Sequence, residues 1–171
     1  MLKNIKEKSI ESGKQGAFSV GSAEATEELQ WVKYKNEKTG HGFSAEDINA
    51  LNDKFRGKKV EKIGLSNEKN GADRVVTDRK GNTQYIQTKY DNNAENTVNS
   101  AFDENTRIYR YKKQVLEVPK DQYEEAIKKM AQKIKEGKVP GVTDPDEAKN
   151  LIKRGDITYQ QAKNIAKSWK Y

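Results

Sequence analysis

Asp73, Gln87 and Lys89 have the types and the spacing to do chemistry together. They lie on either side of the run DRKGN, which separates two stretches rich in Val, Thr, Tyr and Ile and reads as a hairpin turn. The expected loop is Arg79-Lys80-Gly81, with Gly81 in the left-handed position of a β-bulge. Asp78 then pairs with Asn82, Val75 with Tyr85, and Asp73 with Gln87. Directly opposed residues share a face of a sheet, and Lys89, two residues past Gln87, joins them. A carboxylate, an amide oxygen and an ammonium therefore meet at one end of the hairpin. The inference depends on loop length, because a slip of one residue would send Gln87 and Lys89 to the opposite face.

The residues that are missing narrow the chemistry further. The 171-residue chain has no cysteine, which excludes disulfides, thiolate zinc centres and cysteine nucleophiles. With His41 as the single histidine, mechanisms that need two imidazoles are excluded as well. Carboxylates, amides, lysines and hydroxyls are left, and such oxygen-rich sites favour hard cations, magnesium first. No stretch approaches the roughly 18 apolar residues of a membrane span, so a soluble chain with no membrane association is expected.

Hydrophobic residues make up 33% of the chain and charged ones 35%, so the core must be small and depend on periodic placement. Residues 1–38 read as a polar arm with one helix capped by Ser22, and residues 39–171 as the main domain. In GHGFSAEDINALNDKFRG, Ser44 is the expected N-cap, Ala45, Ile48, Leu51, Asn52 and Phe55 the packed stripe, and Gly57 the stop. Strands are expected at Val60–Leu65, Ala72–Asp78, Thr83–Tyr90, Arg107–Tyr111 and Gln114–Val118, with a loop or helical turn over Asp91–Ser100. PKDQYEEAIKKMAQKIKEG is a helix from Pro119 to Gly137, presenting Tyr123, Ala126, Ile127, Met130 and Ile134 to a core. Two short helices follow in a basic tail, 139–171, the first running to Gly155 and the second capped by Thr158. The element order describes an α+β or compact α/β domain.

The pattern Asp73, β-turn, Gln87-Thr88-Lys89 resembles the signature of PD-(D/E)XK nucleases. The runs GHGFSAED, KNGADRVV, QYIQTKY, LEVPKDQYEEA, VPGVTDPDEAKN and TYQQAKNIAK extend the likeness over roughly residues 39–167. They are similar to a module of bacterial polymorphic toxins and mobile-element proteins. The resemblance implies a restriction-endonuclease-like sheet of four to five strands flanked by helices, with a helical C-terminal region. It implies Mg²⁺ or Mn²⁺ held by Asp73, the side-chain oxygen of Gln87 and the Thr88 carbonyl. Lys89 would orient the attacking water or stabilise developing charge, and Glu46 would be an accessory acid. Gln87 stands where the commoner residue is an acid, leaving the site one charge poorer. His41, Lys69, Asn70 and Arg74 are the candidate contacts to nucleic acid.

The charge pattern fits such a substrate and, equally well, the small positive surplus common on soluble domains. Residues 1–105 are balanced at 17 Lys+Arg and 17 Asp+Glu, and residues 106–171 carry the whole net charge of +7. The leading expectation is a metal-dependent phosphodiester hydrolase, with DNA ahead of RNA as substrate. It would be a toxin-type effector acting in the cytoplasm, delivered by an external system and restrained by an immunity or inhibitor protein. The alternative is a non-catalytic module with a nuclease-like fold that binds nucleic acid or protein. A helix-turn-helix reader built from the tail ranks third, since Tyr159, Ile165 and Trp169 look committed to packing.

Overall fold

A computed structural model describes residues 40–63 and 71–168, with side chains from Ala45 onward. The helix expected after Ser22 and the candidate contacts Lys69 and Asn70 lie outside the described residues, as does the side chain of His41.

The fold is α+β: one five-stranded mixed sheet flanked by helices, with a helix at the C-terminal end. Helix α1 spans Gly40–Phe55, starting four residues ahead of Ser44, the expected cap. Gly57 ends it at φ +80°, a value costly for any side chain. Three antiparallel strands follow, β1 (Lys59–Lys62), β2 (Arg74–Thr77) and β3 (Thr83–Thr88). The hairpin takes the expected register. Val75 opposes Tyr85, the Asp78 amide donates to the Asn82 carbonyl at 2.9 Å, and Gly81 sits at φ +86°.

Helix α2 (Ala94–Asn99) occupies the stretch read as a loop or helical turn, capped by the Asn93 side chain. Then come β4 (Val115–Val118), helix α3 (Tyr123–Lys135), the one-turn α4 (Ala148–Leu151), β5 (Ile152–Arg154) and α5 (Tyr159–Ser168). Strands β4 and β5 add to the sheet in parallel, giving the order β1-β2-β3-β4-β5. Two expectations are corrected here. Arg107–Tyr111 forms an isolated bridge, Tyr109 to Phe102, and no strand. The helix expected to run to Gly155 stops at Leu151, because Ile152–Arg154 complete the sheet.

The two faces of the sheet differ in kind. The front face, bearing Leu116, Val118 and Ile152, packs on Ala126, Met130 and Ile134 of α3, with Val98 and Tyr111 closing the same core. Such burial is worth about 1.5–3 kcal/mol per large side chain. The back face is covered by α1, on which α5 packs, and is polar at its centre, where Arg74, Thr88 and Glu117 lie. Helix α1 turns to meet it. Glu46, Asn49 and Asp53 are buried with Ala45 and Ile48, while Phe55, expected in the packed stripe, is 48% exposed. Gly155 marks the tightest approach in this layer. A Cβ there would run into the Tyr90 hydroxyl and lie 2.7 Å from the Val118 carbonyl oxygen. Gly155→Ala is expected to cost roughly 1–3 kcal/mol, read as a lower urea midpoint with unchanged slope. A midpoint equal to the parent's would refute the close packing.

Candidate active site

Asp73 precedes β2 and Gln87 lies near the end of β3, so the register that pairs Arg74 with Ile86 sets Asp73 against Gln87. The side chains meet: Gln87 Nε2 donates to Asp73 Oδ2 at 3.1 Å, and the Thr88 amide donates to the same oxygen at 2.8 Å. Gln87 Oε1 is buried with no hydrogen-bond partner among the described residues. An orphaned buried acceptor beside a carboxylate is expensive unless a cation or donor completes it. Lys89 Nζ rests 5.6 Å from the centre of the buried Tyr111 ring, a cation–π contact that steadies the ammonium.

Glu46 of α1 lies near enough for its charge to act on Asp73. It is 8% exposed, although it lies opposite the apolar stripe expected for that helix. Lys62 of β1 lies 3.5 Å from Glu46 and is paired with Asp47. Burial, and then the Glu46 charge, push the Asp73 carboxyl up to about 6; the Thr88 amide, Lys89 and Arg74 oppose the rise. The donor set fits a divalent cation in kind, with a carboxylate, an amide oxygen lacking a partner and a second acid nearby. It is lean in charge: among the described residues no group of three or more His, Cys, Asp or Glu could hold a metal.

The raised carboxyl has a consequence for stability. A folded-state value near 6 against 3.8 for the free side chain means that the folded form binds the proton more tightly. The Asp73 contribution is therefore full below pH about 4 and is lost as pH rises through 6. Asp73→Asn keeps an oxygen acceptor and removes the charge. Without metal it should stabilise the chain at pH 7 by on the order of 2–3 kcal/mol and flatten the melting-temperature profile between pH 4 and 6. A parent-like profile in the variant would rule out the raised carboxyl.

Arg74 is not at a nucleic-acid surface. It is fully buried on the back face, where Nη2 bonds Glu117 Oε2 at 2.7 Å and Asp53 Oδ2 at 2.8 Å. Adjacent strand residues point to opposite faces, so Asp73 and Arg74 cannot both look outward. The Thr88 side chain also faces back, donating to Glu117 Oε1 at 2.9 Å, so only its backbone is available to the site. Asn49 donates to the same carboxylate at 2.9 Å and accepts the Asp156 amide at 2.8 Å. Sequence reasoning missed this brace. Its one signal is the i, i+3, i+7 spacing of Glu46, Asn49 and Asp53, a polar stripe of the kind a buried network needs.

The YeeR C-terminal domain family matches residues 22–135, well over half of the chain. The chain belongs to that family. A YeeR relative, "Inner membrane protein YeeR" of Escherichia coli (strain K12), is 44% identical over 104 residues. That match covers 58% of this chain and 19% of the relative, so the chain spans about a fifth of the relative's length. No solved structure matches the chain. Among the described residues no helix is long and apolar enough to cross a membrane. The YeeR match begins at residue 22, inside the segment read as a separate arm, and stops before β5.

Proposed function

We propose that this YeeR-family domain is a divalent-metal-dependent phosphodiester hydrolase that acts on nucleic acid, in the PD-(D/E)XK manner. The observation that supports it best is the convergence of Asp73, Gln87 and Lys89 on the front of one hairpin, with Glu46 brought in from α1. Asp73, Gln87 Oε1 and the Thr88 carbonyl would hold Mg²⁺ or Mn²⁺, with Glu46 as accessory acid. Bound there, the ion supplies polarisation of the scissile phosphate and a lower pKa for the attacking water. Asp73 must be ionised to serve, and its carboxyl is raised to about 6 without a cation, so metal binding should weaken as pH falls and the proton competes for it. Lys89, whose charge acts on Asp73, would stabilise the negative charge that develops or orient the water.

The test is incubation of the 171-residue chain with plasmid DNA, single-stranded DNA and tRNA, in Mg²⁺ or in EDTA. Cleavage confined to the metal arm supports the reading; no cleavage of any substrate in Mg²⁺ or Mn²⁺ sinks it. DNA ahead of RNA, a cytoplasmic site of action, a toxin-type role and an inhibitor protein rest on the sequence resemblance alone. The second reading, a binding module without catalysis, is favoured by the Gln87–Asp73 hydrogen bond, which ties up one carboxylate oxygen without a metal.

A further inference from the structure

Thr88 divides its attachments between the two faces of the sheet. Its amide donates to Asp73 Oδ2 at 2.8 Å, inside the candidate site, while its hydroxyl donates to Glu117 Oε1 at 2.9 Å on the back. Glu117 also holds the next peptide, because its main-chain carbonyl accepts the Lys89 amide at 3.0 Å. In a trans peptide the N–H and C=O point in opposite directions. A Lys89 amide aimed at β4 therefore aims the Thr88 carbonyl the other way, to the side of Asp73. Glu117 is itself tightly held. It is fully buried, Arg74 donates to its two oxygens at 2.8 and 2.7 Å, and Asn49 of α1 donates to Oε1 at 2.9 Å. Past Lys89 the back face takes hold of the chain again, where the Tyr90 hydroxyl donates to the Ile157 carbonyl at 2.9 Å. Lys89 thus lies between two neighbours that are both anchored on the opposite face.

We infer that Thr88 and Glu117 are positioning residues of the site: their contact on the back of the sheet fixes the peptide that presents the Thr88 carbonyl and sends Lys89 forward. The role deepens the hydrolase reading and rests on it for the ion alone. In the full chain, Thr88→Val removes the hydroxyl at nearly unchanged shape, and Thr88→Ser keeps it. Amide exchange, read by NMR without metal, should quicken at residue 88 and Lys89 of Thr88→Val by about tenfold more than in α3, and Thr88→Ser should match the parent. A loss of stability alone would quicken both regions equally. Mn²⁺ affinity, read by titration calorimetry, should fall about tenfold in Thr88→Val and recover in Thr88→Ser, the usual scale for a group that orients a metal ligand. If Thr88→Val does not fold, Tyr90→Phe takes its place. The Lys89 amide should then exchange faster, and cleavage should fall about tenfold at unchanged Mn²⁺ affinity. Equal quickening in α3, a Thr88→Ser chain no better than Thr88→Val, or parent-like Mn²⁺ affinity in Thr88→Val overturns the inference, as does parent-like exchange at Lys89 in Tyr90→Phe. A parent chain that binds no Mn²⁺ defeats the hydrolase alone, because exchange is read without metal and still decides whether the contact holds the peptide.

Discussion

Asp73→Ala and Lys89→Ala are each expected to lower metal-dependent cleavage by roughly a thousandfold, by different routes. Asp73→Ala removes the carboxylate that accepts from Gln87 Nε2 and the Thr88 amide, so the hairpin end loses its charge and its shared acceptor. Stabilisation by added Mn²⁺ should vanish together with cleavage, because a ligand that binds only the folded state raises its melting temperature. Lys89→Ala leaves those oxygens in place. Manganese should still raise the melting temperature while turnover is lost, which separates holding the ion from using it. Glu46→Gln should cost less cleavage than either, since its charge reaches Asp73 yet Lys62 already partners it. Cleavage within tenfold of the parent in Asp73→Ala would remove the site from consideration.

The largest loss of stability is expected from Arg74→Met. The guanidinium is the central cation of a buried set in which Asp53 and Glu117 both bond it, with Lys153 at 3.7 Å from Glu117. Removing it leaves two buried carboxylates facing each other, at a cost of about 3–5 kcal/mol. That is a large part of the roughly 5–15 kcal/mol typical of a domain. Arg74→Lys should recover little, because an ammonium cannot offer the paired donors that reach both acids. Urea unfolding followed by circular dichroism reads the effect, and a midpoint shift worth under about 1 kcal/mol would show that the network contributes little. Apolar replacement of Asp53, Arg74 and Glu117 together should be milder than Arg74→Met alone, since both buried acids go with their partner and the one charge left without them, Lys153, reaches solvent.

The difference between what could and could not be read in the sequence follows the distance over which each choice is decided. The hairpin was legible because its register depends on one local feature, the Arg79-Lys80-Gly81 loop with Gly81 at positive φ. Helix α3 was legible for a similar reason, its apolar spacing being met by Ala126, Met130 and Ile134 in the core. Arg107–Tyr111 carries β-forming side chains, yet Tyr109 and Tyr111 spend them on the core from an irregular loop. Strand β5 is three residues long, too short for alternation, and exists only because β4 offers an edge. Arg74 is the clearest case. Its partners lie 21 and 43 positions away, and nothing next to it in the chain distinguishes a buried arginine from one reaching for phosphate.

Recognisable kinship and the folding unit part company at Lys135. The family likeness ends there, yet β5 and α5 lie beyond it, pairing with β4 and packing on α1. A chain cut at that boundary would expose one side of β4 and uncover Tyr90, which packs with Ala162 of α5. Open strand edges recruit other copies of themselves, so the shortened protein should collect as aggregate before it could be assayed. The smallest piece worth making runs through α5, whatever the extent of the shared segment.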